Sequence, residues 1–396
     1  MDLRGLKTPC YIFNEDEFQN NIENFQIRMD KYFSHSIIGY SFKTNSLPYL
    51  VAKAREMGCY AETVSDTEYQ LAKRIGYEPQ KIIFNGPAKG KAQFCQAFCD
   101  GSIINIDSVR ELEWLKALSN KKNRGKIGVR VNMNLEKILP GQTAMGEDGG
   151  RFGFCDENGK LSEVIRYIQQ MDGVKLAGLH MHVSSKSKSI EVYRELTRRA
   201  CEIARREALE LEYIDIGGGF FGGGDDGTAY ESYIKVIHQV LKEYQMEEMT
   251  IIVEPGASVV ATAIDYLTEV LDIKKTDCNC FVITDGSRLH LDPFFHKNTY
   301  IYEILGKRGE RCHRQVICGY TCMENDRLMT LTDEQEVLQT DRILYRIVGS
   351  YTMALQPLFI EYFPTVYTKK KNEYELIREK WGINEYLQKN KWEVIE

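Results

Sequence analysis

From about residue 14 to residue 256, short apolar runs rich in β-branched residues alternate with longer segments whose apolar positions recur at helical spacing. This is the pattern of strand-helix units around a parallel sheet. Eight runs qualify as strands: IIGYSF leading into Lys43, CYAETV from Cys59, KIIFNG from Lys81, SIINI from Ser102, KIGVRVN from Lys126, VKLAGLHMHV from Val174, LEYIDIG from Leu211 and TIIVEPG from Thr250. Between them SLPYLVAKAREMG, SDTEYQLAKRIGY and DSVRELEWLKALS are amphipathic, and the last two open on residues suited to cap a helix. Eight such units fit a closed (β/α)8 barrel over residues 14–256, and a doubly wound open sheet gives a similar count. After Ala257 the chain turns β-rich, with FVITDG, RQVICGYTC, DRILYRIVGSYTMAL and FPTVY, which predicts a second, mostly β domain over 257–396. Its end, NEYELIREKWGINEYLQKN, predicts a surface helix.

Charge narrows the partners. With 51 basic and 57 acidic residues, a net of −6, the chain has no general attraction for nucleic acid or an anionic membrane, and a small molecule is the expected ligand. The opening residues MDLRGLKTP contain no apolar core of a secretion signal, and no apolar run is long enough to span a bilayer, so the expected compartment is the cytoplasm. The 11 cysteines are scattered and odd in number, which fits reduced thiols, and neither Cys278 with Cys280 nor Cys95 with Cys99 makes a zinc site. No metal is expected.

Parallel barrels build their active sites at the C-terminal ends of the strands, so polar residues that end apolar runs carry weight. Lys43 follows the first run; alone it reads as a solvated lysine. His180 and His182 alternate on one strand and face one side, which suits a ring stack, a buried structural pair or a shared cation. Gly217, Gly218 and Gly219 follow LEYIDI, where missing side chains let backbone amides approach an anion. Glu254 ends TIIVE before Pro255 and Gly256, and a carboxylate there needs a partner; a protonated pyridine nitrogen is one. A lysine, an imidazole, a glycine cradle and a carboxylate at successive strand ends together meet the needs of pyridoxal 5'-phosphate, and that chemistry favours the barrel.

The order and wording of these motifs resemble the alanine-racemase-like barrel (fold-type III) family of pyridoxal-phosphate enzymes, in its diaminopimelate and ornithine decarboxylase branch. The matching segments run nearly end to end: TPCYIFN, YSFKTN, ETVSDTEYQLA, IIFNGPAKG, INIDSVRELEWL, RFGF, GLHMHVSS, DIGGGF, VEPG and, in the second domain, GYTCMEND and VGSYTMAL. The resemblance implies an amino-acid decarboxylase in which Lys43 holds the cofactor as an imine, His182 stacks on its ring and Glu254 meets its ring nitrogen. It gives Ser185, Gly218, Gly219, Gly256 and Tyr351 to the phosphate. It implies a head-to-tail homodimer with shared active sites, in which Cys322 of the partner subunit returns the proton. Residues 1–13, around Tyr11, would join the β domain.

The pattern departs from the family where the substrate's far end is read. Ala257 stands where the family's Glu-Pro-Gly-Arg has arginine, with Lys186 or Lys188 as a replacement cation. Met323 and Glu324 follow Cys322 where the branch has Cys-Glu-Ser, and Asp292 falls near the place of an arginine for the distal carboxylate, with Arg288 nearby. Cys322, Met323, Glu324 and Asp292 are therefore the candidate substrate-facing residues, and the expected substrate is a non-standard amino acid of a specialised biosynthetic pathway. An amino-acid racemase on the same fold is the rival reading; it would set a tyrosine opposite Lys43, and Glu254 with the Gly-x-x-Cys-x-x-x-Asp element speaks for decarboxylation. A non-catalytic regulatory homologue would have no use for Lys43, His182, Glu254 and Cys322 together.

Overall fold

The computed structural model describes residues 3–119, 125–184, 186–224, 227–297, 299–307 and 309–391. The chain divides into two compact units, Asn21–Val259 and Met1–Asn20 with Val260–Glu396.

In the first unit the eight apolar runs all form strands: β1 (Ser36–Ser41), β2 (Tyr60–Thr63), β3 (Ile82–Phe84), β4 (Ile103–Ile106), β5 (Lys126–Asn132), β6 (Leu176–His180), β7 (Tyr213–Asp215) and β8 (Thr250–Val253). Each pairs in parallel with its neighbours, and β8 pairs with β1, so the sheet closes into a barrel. An open sheet is thereby excluded. A two-residue strand, Phe154–Cys155, adds beside β5 outside the ring. Helices follow as the periodicity requires, including Pro48–Glu56, Asp66–Ile75 and Val109–Leu118. Ser65 caps the second by accepting from the Glu68 amide, and Gly76 ends it in the left-handed region. Strand β6 stops at His180, earlier than its apolar run, so His182 lies beyond the strand end.

The barrel interior is filled by side chains. Ile83, Ile103, Ala177, Tyr213 and Ile252 form one buried layer. A Cβ at Gly178 would stand 2.2 Å from the Tyr213 ring, so the absent side chain is what lets the tyrosine lie there. Beside the barrel, Lys89 is wholly buried and fully used: its ammonium meets Glu111 at 2.8 Å and donates to the carbonyls of Gly86 (2.8 Å) and Asn105 (2.9 Å). All three ammonium hydrogens have acceptors, which is the condition for a buried charge.

The second unit is built on the 12-residue strand Ile264–Lys275, which pairs with Cys10–Asn14, Cys280–Thr284 and Arg342–Arg346. The N-terminal strand sits between it and Thr365–Lys370, and the sheet continues through Arg311–Cys318 and Arg327–Gln335 at one end. Leu6, Cys10, Ile12, Leu267, Leu344 and Tyr367 form a buried cluster. The predicted terminal helix is corrected here. Glu373–Arg378 is a strand, paired antiparallel with Thr365–Lys370, and only Ile383–Leu387 is helical. The turn at Lys371, with φ of 56°, folds the segment back onto an edge whose open hydrogen bonds outweigh its helical spacing.

The buried pair yields a prediction. Lys89→Met strands the Glu111 carboxylate in the interior and is expected to cost about 3–5 kcal/mol in urea denaturation, while Lys89→Met with Glu111→Leu recovers most of it. Equal stability of the single variant and the parent would contradict the pairing.

Candidate active site

Every strand of the barrel delivers a polar group at its C-terminal end. Lys43 sits in a turn, Phe42–Thr44, directly after β1, and its ammonium lies 2.7 Å from Glu62 on β2. Ser41 also donates to the same Glu62 oxygen at 2.6 Å. Asn85 follows β3 and donates to Glu62 at 3.0 Å and to Glu254, after β8, at 2.5 Å. Asn105 on β4 donates to Asn85 at 2.9 Å and to Asp215 on β7 at 3.1 Å. Arg130 on β5 meets Asp107 at 3.3 Å. One polar atom each of His180, Asp215 and Glu254 lies within 4.8 Å of the others, with the His180 Nε2 to Glu254 separation 3.6 Å.

The two deepest acids are pushed in opposite directions. Asp215 is raised well above the ordinary carboxylate range, first by burial and then by the charge of Glu254, so it holds its proton. Burial also works to raise Glu254, but His180 and Lys43 outweigh it, and Glu254 is held below the ordinary range as the ionised partner. His182 is lowered to about 3 by burial and by the positive charges of Arg130 and Lys43. Its ring is parallel to that of His180 within 12°, centroids 6.3 Å apart, and its Nδ1 accepts from the Gly218 amide at 3.2 Å. That lone pair is engaged, which removes one ligand from the expected alternative of a shared cation.

The glycine run is explained partly by packing. Gly217 has φ of 73°, and a Cβ there would enter the His182 ring at 2.5–2.7 Å; at Gly218 it would lie 2.3 Å from the Glu254 carbonyl. The Glu254 amide in turn donates to the Gly217 carbonyl at 2.8 Å. The run thus brings a flat imidazole and an ionised carboxylate against one backbone turn. A planar cationic heterocycle with an anionic tail fits this donor set: Glu254 supplies an acceptor, His182 a neutral face, Lys43 a nucleophilic amine, and the glycines room for an anion. Gly219 follows with φ of 88°, and Gly256 is buried beside Ser41 and Thr44. Ser185 lies outside the described residues. Beyond His182 a cavity of about 230 Å3 is walled by Met133, Leu135, Met145 and Phe152, with Arg130 on its inner side. Its one carboxylate among the described residues, Glu136, is satisfied by the Thr143 hydroxyl and the amides of Gly141 and Thr143.

The remaining candidates lie in the other unit. Cys322 and Glu324 are exposed and Met323 is half-buried. The loop that carries them is organised by buried Asp326, which accepts from the Ser287 and Thr321 hydroxyls and the Arg288 amide. Asp292 is buried and occupied, accepting from the Arg288 guanidinium at 3.0 Å and from the amides of His296 and Lys297 at 3.0 and 2.7 Å. It ties down its own loop, and Arg288 with it. Tyr351 is exposed, with φ of 56°, at the head of a segment in which Leu355, Leu358, Phe359 and Ile360 are also exposed.

Glu62, Asn85, Asn105, Arg130 and Asp215 escaped the reading of the sequence. The signal was partial: Asn85 directly follows an apolar run as Lys43 does, whereas Glu62, Asn105, Arg130 and Asp215 are polar breaks within the last few residues of theirs.

Comparison with known proteins gives a consistent result. The family model described as "Pyridoxal-dependent decarboxylase, pyridoxal binding domain" matches residues 19–261. The chain is 26% identical over 360 residues to diaminopimelate decarboxylase of Aquifex aeolicus, covering 88% of this chain and 83% of that one. It is 25% identical over 406 residues to the L-glutamyl-[BtrI acyl-carrier protein] decarboxylase of Niallia circulans, covering 95% and 92%. Against a longer relative from Oryza sativa the match spans 59% of that protein. The fold is similar to the crystal structure of diaminopimelate decarboxylase from M. jannaschii, with a TM-score of 0.87 at 23% identity, over 98% of this chain and 93% of that one.

The lowered His182 makes a testable statement. In the ligand-free protein its imidazole is expected to stay neutral by NMR from pH 8 down to about pH 4, because the folded value of about 3 lies below the ordinary 6.5. The unfolded chain takes up that proton near 6.5, so stability falls as pH drops through this window. A ring titrating near 6.5 would refute the assignment.

Proposed function

The chain belongs to the pyridoxal-dependent decarboxylases, carboxy-lyases of amino acids that use pyridoxal 5'-phosphate, and we propose from that premise how its own residues divide the work. The observation that carries the reading is the placement of Lys43 against Glu62 at the same barrel mouth as ionised Glu254, with one amide, Asn85, between the two acids. Bound pyridoxal phosphate supplies the electron sink for the pair released when the substrate's α-carboxylate leaves as carbon dioxide. Lys43 would hold the cofactor covalently and, as a free amine once the substrate is bound, would be kept in position by Glu62. Glu254 keeps the proton on the ring nitrogen. His182, neutral at working pH, covers one ring face without opposing that charge. Ser185, Gly218, Gly219, Gly256 and Tyr351 receive the phosphate.

The protein acts as a head-to-tail homodimer in which Cys322 of the partner subunit returns a proton to the α-carbon. The exposed apolar segment from Tyr351 to Ile360 supports such an interface, since a surface this rich in Leu, Phe and Ile is covered in most folded proteins. We assign the enzyme to the cytoplasm, where its 11 free thiols persist. No helix among the described residues is long and apolar enough to cross a membrane.

The substrate is a non-standard amino acid other than diaminopimelate. Arg288, the cation nearest the expected reader of a distal carboxylate, is already paired with Asp292. The cavity beside His182 is walled by methionine, leucine and phenylalanine together with Arg130 and Arg151, and its one carboxylate among the described residues, Glu136, is satisfied internally. A distal ammonium would meet no free carboxylate in either place, and a charge left unpaired in a buried site is strongly disfavoured. The same walls suit a side chain whose far end is uncharged or masked, as when it is joined to a carrier.

The purified protein is expected to carry a visible cofactor band that Lys43→Ala abolishes, and a colourless wild type would overturn the reading. Carbon dioxide release should greatly exceed loss of optical rotation in a substrate panel, and diaminopimelate should be among the poorest members. Rapid turnover of diaminopimelate would sink the substrate assignment. In analytical ultracentrifugation the protein should sediment as a dimer, and Leu358→Asp with Phe359→Asp should release monomers whose activity falls at least about 100-fold with loss of the proton donor.

A further inference from the structure

Between the two acids at the barrel mouth runs a chain of side-chain amides whose direction the surrounding residues fix. It begins at Tyr213. A Cβ at Gly128 would lie 2.2 Å from Asn105 Oδ1 and 2.4 Å from the Tyr213 hydroxyl, so Gly128, with Gly178, opens the room in which these groups meet. The Tyr213 hydroxyl donates to Asn105 Oδ1 at 3.0 Å. With its oxygen taken, Asn105 turns its NH2 to Asn85 Oδ1 and Asp215 Oδ2. Asn85, its oxygen also taken, turns its own NH2 the other way, one hydrogen to Glu62 and one to Glu254. The far end demands the same orientation, because an ionised carboxylate only accepts. All of these side chains are buried, with Asn85 2% exposed and Glu62 wholly covered.

We propose that Asn85 is a positioning residue for the decarboxylation: its two N–H bonds tie the carboxylate that serves Lys43 to the carboxylate that serves the ring nitrogen, so that proton binding at the two ends of the cofactor is coupled. This rests on the functional reading above. Without Asn85, Glu62 and Glu254 face each other across an undonated gap, and their ionised forms lose one hydrogen bond each. The whole cluster then holds its proton to higher pH, whichever group carries it. The groups that face this pair are Lys43 on the turn after β1, His180 at the end of β6, His182 beyond it, Asp215 on β7, and Arg130 on β5 with its partner Asp107.

The test is a pH titration of the cofactor absorbance of the holoenzyme, with cofactor content verified by borohydride reduction. Asn85→Leu is expected to move the midpoint upward by about one unit, the size of a lost charge-stabilising contact. Tyr213→Phe, which keeps the ring that fills the barrel and removes only the hydroxyl that sets the direction of the chain, is expected to move it the same way by less. Because the second variant alters no packing volume, it decides the matter if Asn85→Leu fails to fold. An unchanged or lowered midpoint in a coloured, folded variant overturns the inference and leaves the functional reading intact. A wild-type protein that takes up no cofactor overturns the functional reading, and the inference falls with it.

Discussion

Glu254 is ionised although it is 3% exposed, and most of the barrel's design answers to that charge. A carboxylate in such a place survives only if cations and donors surround it. Here His180 and Lys43 supply the field, Asn85 supplies a hydrogen bond, and Asp215 stays protonated so that no second charge competes. These groups belong to different strands, each contributing the residue at its C-terminal end. Only a closed sheet brings the ends of β1 and β8 side by side, so the chemistry of the mouth requires the barrel and would be scattered along an open sheet.

The divergence of the two acids assigns their work. Two neighbouring carboxyls cannot both ionise in a dry site, and whichever has better donors ionises first. Asp215 accepts from the Gly217 amide and from Asn105, yet burial and Glu254 dominate it. Glu254 wins because it faces the cationic side of the mouth. A neutral His182 follows from the same field, since Arg130 and Lys43 oppose a third positive charge there. The imidazole is thus a flat, uncharged surface rather than an acid.

Much of this was legible in the sequence, and the limits have physical causes. Parallel strands buried on both faces leave continuous apolar runs, so all eight barrel strands could be found, and the gathering of Lys43, His182 and Glu254 at one mouth followed from their positions at or just beyond strand ends. The amide chain through Asn105 and Asn85 was not legible, because which oxygen meets which nitrogen depends on pairs 20 to 169 residues apart. The glycine run was read as an anion cradle, and its packing against His182 emerged only with the φ of Gly217. In the second unit, Ile264–Lys275 lost its signal where its outer half turns to solvent, and EYELIR fitted helical spacing as well as a strand until its partner Thr365–Lys370 decided.

The same contrast separates what is fixed in this protein from what is altered. Groups at the barrel mouth are held by buried bonds from many strands, so a change in one disturbs several others. The loops differ: there Arg288 and Asp292 neutralise each other four residues apart, and Glu136 is closed by donors seven residues away or nearer. Such local pairings form and dissolve without touching the barrel. A loop pocket whose one carboxylate among the described residues is already satisfied leaves a cationic tail no free acceptor, and such a change requires no alteration of the buried groups at the barrel mouth.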